Sequence, residues 1–224
     1  MLVAGLDEAG RGPVIGSLTI GCVILEEENL PLLKEIGVDD SKKISPKKRT
    51  LLSKKIKENC VKWDIFEVTS DMLNNHHDKG MSLNKIEENY FAELLNKMEP
   101  KPDKVYLDAA DVKEERFGVS IAKKLTYQPK KIISKHKGDA IFPIVGAASI
   151  IAKTERDTII EDFKKHYGEI GSGYPSDPKT RKFLTSYYEQ NMKFPPIVRT
   201  FWKTLENIRR EIHIKKSQSR LTDF

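Results

Sequence analysis

The chain has 224 residues, a length that suits one well-cored domain with a small appendage, since single cores rarely grow beyond about 250 to 300 residues. Its 39 Lys and Arg against 33 Asp and Glu give a net charge of +6, which favours a polyanionic partner. Two cysteines, Cys22 and Cys60, are too few for a disulfide framework or a thiolate metal site. Asp7 and Glu8 interrupt the apolar start and exclude a signal peptide, and no apolar run reaches membrane-spanning length. We therefore expect a soluble, cytoplasmic protein that does not associate with membranes.

The amino-terminal part predicts a hairpin, a helix and a third strand. Apolar and β-branched residues indicate strands at 2–7 and 18–25, and the glycine-rich segment between them indicates a turn. Ser45 as N-cap and Pro46 in the first turn begin a helix. A further strand is predicted at 61–68.

The middle of the chain predicts one helix and two short strands. Ser82 caps the helix and Pro100 stops it. The strands are predicted at 104–108 and 131–134. The helix has an apolar face spaced for the 3.6-residue period, formed by Ile86, Phe91, Leu94, Leu95 and Met98.

Helices dominate the carboxyl-terminal part. A long helix is predicted at 142–167 and ends at Gly168, and Asp177 with Pro178 begins another. A last helix is predicted at 197–212, before a polar tail. Strands early and helices late indicate an α/β fold, a mixed sheet with helices on its faces and a helical carboxyl-terminal cap.

Four acids occupy positions where a folded chain rarely leaves a charge unpaired. Asp7 and Glu8 end the first strand, Asp108 ends another, and Asp139 precedes the long helix. Each alone is more often a turn or capping residue than a catalyst. If the strands that carry Asp7 and Asp108 are neighbours, however, these acids meet at one edge of the sheet, where α/β proteins usually place their sites.

Carboxylates brought so close repel one another unless divalent cations neutralise them. Oxygen ligands without Cys or His select a hard ion, so Mg²⁺ or Mn²⁺ is expected. Two such ions about 4 Å apart suit phosphodiester hydrolysis, which needs no Ser-His-Asp nucleophile. His136, between Lys135 and Lys137, is expected to face phosphate or solvent and not a metal.

Six segments in a fixed order resemble ribonuclease HII, in particular its archaeal branch. They are DEAGRGP at 7–13, DSKK at 40–43, LDAAD at 107–111, KHKGD at 135–139, AASIIAK at 147–153 and GSGYPSD at 171–177. The resemblance runs from Leu2 to about Ile208. It implies the ribonuclease H fold, a five-stranded mixed sheet flanked by helices. A catalytic domain is then expected at 1–170, a helical cap at 171–212 and a flexible tail at 213–224.

The resemblance also implies roles for individual residues. It assigns metal binding and catalysis to Asp7, Glu8, Asp108 and Asp139, with Asp111 as a neighbour that is not a ligand. It assigns contact with the 2′-hydroxyl of a ribonucleotide to the turn formed by Gly10, Arg11 and Gly12. Glycines let backbone groups approach a sugar closely, and the 2′-hydroxyl distinguishes RNA from DNA.

The resemblance further implies that Tyr174 packs against the sugar at an RNA-DNA junction and that Lys42 and Lys43 contact phosphate. Apart from the family pattern, each of these features has a simpler explanation. The glycines would form an ordinary tight turn, the tyrosine would be a surface aromatic, and the lysine pair would be solvated.

The implied activity is hydrolysis of the RNA strand of RNA-DNA hybrids and cleavage 5′ of ribonucleotides in duplex DNA. The resemblance implies catalysis by two Mg²⁺ or Mn²⁺ ions and products with 3′-hydroxyl and 5′-phosphate ends. It also implies roles in primer removal and ribonucleotide repair. A monomer is expected. Another two-metal nuclease or polynucleotidyl transferase on the same fold would share the acids but not the glycine turn and Tyr174. A non-catalytic nucleic-acid-binding module would need only the basic charge, but acids at strand ends repel phosphate unless a metal lies between.

The end of the chain carries the spacing Q-x-x-L-x-x-F at Gln218, Leu221 and Phe224. This resembles the peptide by which replication and repair enzymes bind the sliding clamp PCNA. The pattern departs from the fuller motif because Asp223 precedes a single aromatic residue. A frayed terminus with chance spacing is the alternative.

Overall fold

The computed structural model describes residues 1–38 and 44–222. The strands, in chain order, are β1 (Leu2–Ala9), β2 (Leu18–Glu26), β3 (Lys62–Val68), β4 (Lys104–Asp108) and β5 (Lys131–Lys135). The helices are α1 (Leu30–Glu35), α2 (Pro46–Asn59), α3 (Ser70–Asp78), α4 (Leu83–Lys97), α5 (Glu114–Ala122), α6 (Gly138–Ile141), α7 (Pro143–Tyr167), α8 (Pro178–Asn191) and α9 (Lys203–Thr222).

The strands form one mixed five-stranded sheet in the order β3-β2-β1-β4-β5. β1 pairs antiparallel with β2, which pairs antiparallel with β3. β4 lies parallel to both β1 and β5. The sheet therefore brings the carboxyl ends of β1, β4 and β5 to the same edge, and the predicted mixed five-stranded sheet is confirmed.

By their contacts the residues divide into two compact units, each assembled from separated stretches of chain. The first contains 1–10, 18–68 and 81–157. The second contains 11–17, 69–80 and 158–224. The three continuous segments expected from the resemblance stay a prediction.

In the first unit α7 lies directly on β1 and β2 because two glycines leave room for its backbone. A Cβ on Gly5 would lie 2.2 Å from the carbonyl oxygen of Ile144, and one on Gly21 would lie 2.6 Å from that of Ala148. Only hydrogen atoms fit in these gaps. The apolar first half of α7 consequently shares a buried core with residues of α1, α2 and the sheet.

Helices α4 and α5 cover the opposite face of the sheet. Tyr106 of β4 packs on the face of the sheet that α7 covers, and its pairing partner Ile133 of β5 points to the same face. Successive side chains in a strand alternate, so Ser134 points to the opposite face. There Gly118 of α5 packs against Ser134. Phe91 of α4 meets Phe117 of α5 at 5.4 Å between ring centroids.

The second unit has its own apolar core, built mainly from α8, α9 and the 11–17 segment. It contains the fully buried Arg199, whose Nε donates to the carbonyl of Gly16 at 2.7 Å. Thr180 is also fully buried and accepts from the amide of Gly173 at 3.0 Å. Buried polar bonds therefore tie the loop segments of this unit to one another and to α8.

The predicted strands are all present, and Ser45, Ser82 and Asp177 cap helices as expected. The boundaries predicted for the last helix are wrong, because it begins at Lys203 and continues to Thr222. None of the described helices combines the length and apolarity that crossing a bilayer requires.

Candidate active site

The register of the sheet brings the first acids together. Leu6 of β1 lies beside Leu107 of β4, so the next residues in the two parallel strands are Asp7 and Asp108. Carboxylate oxygens of Asp7, Glu8 and Asp108 lie within 4.8 Å of one another. Asp7 and Asp108 therefore lie close together in the first unit, as inferred from their positions at the ends of two strands.

Asp139 approaches from the helix that follows β5. It lies in α6 and is buried, but it is not among the three acids whose oxygens fall within 4.8 Å. The residue before it, Gly138, donates its amide to Oδ1 of Asp108 at 2.6 Å. A Cβ on Gly138 would lie 2.8 Å from the carbonyl oxygen of Leu107, so this close approach depends on glycine. The turn that carries Asp139 is therefore bonded directly to Asp108.

The carboxyl group of Asp7 has a strongly raised pKa. Burial, followed by the negative charge of Asp108, raises the pKa of Asp7 from 3.8 to about 7, and Asp139 adds to the rise. A buried carboxyl among other carboxyls holds its proton because its anion is poorly solvated and repelled. A divalent cation would reverse this preference by neutralising the group.

Two residues of α7 act against this rise in pKa. Ser149 is fully buried and hydrogen-bonded to the Asp7 carboxyl, and Lys153 adds a positive charge. Lys153 Nζ donates to Ser149 Oγ at 2.7 Å, one helical turn away. Because the serine oxygen accepts from the lysine, its own hydrogen is left to point at Asp7. The sequence analysis gave these residues no role, although their i, i+4 spacing was a usable signal.

The donor set fits hard divalent cations. It consists of carboxylate oxygens on Asp7, Glu8 and Asp108, with Asp139 nearby, and no Cys or His belongs to it. Oxygen-only sites of this kind select Mg²⁺, Mn²⁺ or Ca²⁺ over softer metals. Burial and the charge of Asp108 raise the pKa of Asp7, and a cation bound beside these acids would oppose both effects.

Asp111 lies close in sequence but is engaged elsewhere. Its carboxylate accepts from Nε and Nη2 of Arg116 at 2.7 and 2.6 Å. The Arg116 guanidinium holds the pKa of this carboxyl below its usual value. An acid already paired in this bidentate way is poorly placed to act as a ligand.

Two of the residues predicted to recognise the ribonucleotide, Gly12 and Tyr174, lie in the second unit. A Cβ on Gly12 would be 3.3 Å from Cε1 of Tyr174, so the half-exposed tyrosine ring packs beside this glycine. The carbonyl of Gly173 accepts from the amides of Val14 and Ile15 at 2.8 and 3.1 Å. These bonds fix the segment after Gly12 to the turn that carries Tyr174.

Two further groups hold these turns in place. Arg199 Nη1 donates to the carbonyl of Arg11 at 3.3 Å, in addition to the bond from Nε to Gly16. Asp177 accepts from the backbone and side chain of Ser172, which lowers its pKa to about 2. The sequence analysis had no signal for Arg199, because its partners are backbone carbonyls far along the chain.

Some predicted residues fall outside what the structure describes. Lys42, Lys43 and Phe224 lie outside the described residues. Gln218 and Leu221 belong to α9, which runs on to Thr222. His136, expected to face phosphate or solvent, is exposed, and both of its ring nitrogens lie near backbone carbonyls.

Comparison with known proteins places the chain among ribonucleases. The family model described as Ribonuclease HII matches residues 4–205. The Ribonuclease HII of Thermococcus sibiricus is 48% identical over 224 residues, which cover 100% of this chain and 98% of the relative.

Solved structures agree with the sequence comparison. The ribonuclease H2 of Pyrococcus horikoshii superposes with a TM-score of 0.90 at 45% identity, covering 95% of this chain and 99% of that one. The ribonuclease HII in a complex with PCNA from Archaeoglobus fulgidus gives a TM-score of 0.82 at 35% identity, covering 92% and 96%.

Proposed function

Because the chain belongs to the ribonuclease HII family, we propose that it hydrolyses RNA at ribonucleotides within duplexes through the carboxylate cluster at the edge of its sheet. The family is dependent on divalent metals and hydrolyses the RNA strand of RNA-DNA hybrids. The finer proposal is cleavage 5′ of ribonucleotides embedded in DNA, giving 3′-hydroxyl and 5′-phosphate ends. Primer removal and ribonucleotide repair are the processes that such a reaction serves, and we propose that the enzyme acts as a monomer.

The observation that carries the proposal is the set of three carboxylates within 4.8 Å. Asp7, Glu8 and Asp108 would hold two Mg²⁺ or Mn²⁺ ions, with Asp139 completing the set. When bound, such ions activate water and neutralise charge on the phosphate. Ser149 orients the Asp7 carboxylate, and the Lys153 charge helps to keep it ionised.

Selection of the ribonucleotide is assigned to the turn of Gly10, Arg11 and Gly12 and to Tyr174. Support comes from the ring of Tyr174, which packs beside Gly12 and remains 42% exposed. An exposed ring beside a glycine backbone offers a sugar both a flat surface and hydrogen-bonding groups. Phosphate contacts by Lys42 and Lys43 belong to the same proposal.

Cleavage of four duplexes tests this function. One carries a single ribonucleotide in DNA, one is an RNA-DNA hybrid, one is all DNA, and one is all RNA. We expect cutting of the first two with Mg²⁺ or Mn²⁺, no cutting with chelator, and a 5′-phosphate on the product. Cleavage of all-DNA duplex at a comparable rate would contradict recognition of the 2′-hydroxyl.

The acid assignment makes a prediction of its own. Asp7→Asn and Asp108→Asn should each lower cleavage by at least about a thousandfold, because loss of a ligand charge weakens the electrostatic stabilisation of the transition state. Asp162→Asn, which alters an exposed acid paired with Lys165, is the matched control and should cleave normally. Gel assays at equal folded concentration measure this. A fully active Asp108→Asn enzyme would remove that acid from the site.

We also propose that the end of the chain binds the sliding clamp. The Archaeoglobus relative has been solved in a complex with PCNA, and this chain carries the spacing of Gln218, Leu221 and Phe224. α9 extends the chain as a helix to Thr222. Two apolar side chains and a glutamine at this spacing suit the kind of apolar groove that binds a short peptide.

A further inference from the structure

The parallel strands β4 and β5 end side by side, and each is followed by a short connection to the next helix. The connection after β4 leads to α5, and the connection after β5 leads to α6. The amide of Ala109 donates to the carbonyl of Lys135 at 2.9 Å, which extends the strand pairing beyond Asp108. After β5 the chain turns through Lys137, whose φ of 57° is left-handed, and reaches Asp139. The separation of Asp108 and Asp139 therefore depends on the direct bond from the Gly138 amide to Asp108 and on how the two segments that follow β4 and β5 are held together.

His136 spans both connections. Its Nδ1 lies 3.3 Å from the carbonyl oxygen of Ala109, and its Nε2 lies 3.2 Å from that of Val112. Carbonyl oxygens only accept, so a neutral ring donates to one of these two carbonyls and a doubly protonated ring donates to both. The backbone amide of His136 donates to Glu114 at 2.9 Å, and the other oxygen of Glu114 accepts from Lys135 at 2.6 Å.

Polar bonds, and not apolar packing, give the loop after β4 its shape. Val112 is 88% exposed and contributes little burial. Asp111 is tied to Arg116 and accepts from the amide of Lys113 at 3.2 Å. The His136 ring also connects this loop to the turn that leads into Asp139, beside the bond from the Gly138 amide to Asp108 and the bonds that Glu114 accepts from Lys135 and His136.

We propose that His136 is a positioning residue for the cation site. Its ring lies between the carbonyls of Ala109 and Val112, near the two ends of the loop after Asp108, and so sets that loop against the turn of Asp139. The inference rests on the proposed function, since it concerns the same carboxylates. His136 contacts no substrate in this scheme. Its loss should leave the ligands present but allow them to spread, which lowers metal affinity more than turnover at saturating metal.

The test titrates Mn²⁺ calorimetrically into the nucleic-acid-free protein and measures cleavage of the single-ribonucleotide duplex over a range of Mn²⁺ concentrations. In His136→Ala we expect about tenfold weaker Mn²⁺ binding. This is the lower limit of the loss in affinity, about tenfold to a hundredfold, that follows removal of a residue that orients metal ligands. Cleavage at saturating Mn²⁺ should stay within about twofold of wild type. Circular dichroism melting confirms folding, which an exposed side chain should not abolish.

Two further variants separate positioning from charge. His136→Arg provides N–H donors on separate nitrogens of a planar group and should restore most of the Mn²⁺ affinity. His136→Lys carries the same charge on a single nitrogen and should not. His166→Ala is the control, because His166 bonds only to the carbonyl of Asp162 within α7 and should bind Mn²⁺ as wild type does.

Each outcome has a defined meaning. Wild-type Mn²⁺ affinity in His136→Ala, or equal affinities in the Arg and Lys variants, would overturn the inference while leaving the proposed function in place. A wild-type protein that neither binds Mn²⁺ nor cleaves the duplex would instead overturn the proposed function itself. Weaker binding in Ala and Lys, with recovery in Arg, supports the positioning role.

Discussion

At the scale of single residues, the buried Asp7 makes the metal-free protein sensitive to pH. Its pKa is raised to about 7 in the folded state, so between pH 4 and pH 7 the unfolded chain releases a proton that the folded chain retains. Stability contributed by this group is therefore lost as pH rises through that window. Above pH 7 the loss is constant.

Asp7→Asn should consequently stabilise the metal-free protein at pH 8, by an amount on the order of 1 to 4 kcal/mol. The advantage should grow from about pH 4 to about pH 7 and then level off. Urea unfolding in chelator at several pH values measures it. Saturating Mg²⁺ should erase the difference by stabilising only the wild type. A difference independent of pH would show that Asp7 titrates normally.

Tyr174 gives a second residue-scale prediction. Tyr174→Ala should slow cleavage at a single ribonucleotide by about tenfold to a hundredfold and weaken duplex binding less, because in the proposed role its ring stacks on the sugar and places the scissile bond. Tyr174→Phe keeps the ring and should stay near wild type. Turnover and binding are measured on the same duplex. Equal effects on the two quantities would indicate simple affinity and not placement.

At the scale of elements, the close approach of α7 to β2 is the feature most open to test. Gly21→Ala places a Cβ 2.6 Å from the carbonyl of Ala148, so α7 must shift. We expect a cost of about 1 to 3 kcal/mol. Ser149, which bonds to Asp7, follows Ala148 and would shift with it. The cleavage rate should therefore decrease even at temperatures well below the unfolding temperature.

Val23→Ala is the matched control for Gly21→Ala. Val23 lies two residues along β2 and is buried in the core shared with α7, so its truncation leaves a cavity without pushing the helix. It should cost comparable stability but keep activity at low temperature. If both variants lose activity in proportion to stability, the approach of α7 has no special role in the site.

Local signals explain which elements could be predicted from the sequence. Ser45, Ser82 and Asp177 are side-chain caps that mark helix starts, and all were predicted. α5 was missed because Lys113 makes no side-chain cap bond. α3 was also missed, although Thr69 caps it and could have been noticed.

Long-range bonds explain the error at the last helix. The carbonyl of Ile197 accepts from Gly16, and the amide of Arg199 donates to Val14. Backbone groups used in this way are not available to a helix, so α9 starts only at Lys203. The positions of the acids in the chain could be predicted, but the bonds of Ser149 and Gly138 to them depend on the packing of α7 and on the turn after β5.

At the scale of the whole molecule, we expect clamp binding by the end of the chain to be independent of catalysis. Deleting 218–224 should abolish binding to the clamp of the same organism, because it removes Gln218, Leu221 and Phe224 together. Cleavage of a free oligonucleotide duplex should be unchanged. Calorimetry with the clamp and a parallel nuclease assay measure the two effects. Undiminished clamp binding would place the contact elsewhere.

The carboxylates of the site also come from widely separated parts of the chain. Asp7 and Asp108 are about 100 residues apart, so a cation held by both acts as a reversible cross-link across a long loop. An ion present at a hundred times its dissociation constant would add about 2.7 kcal/mol to the free energy of unfolding. The ion that enables catalysis would thus also decide how long the enzyme survives proteases, and metal starvation would deplete the protein as well as silence it.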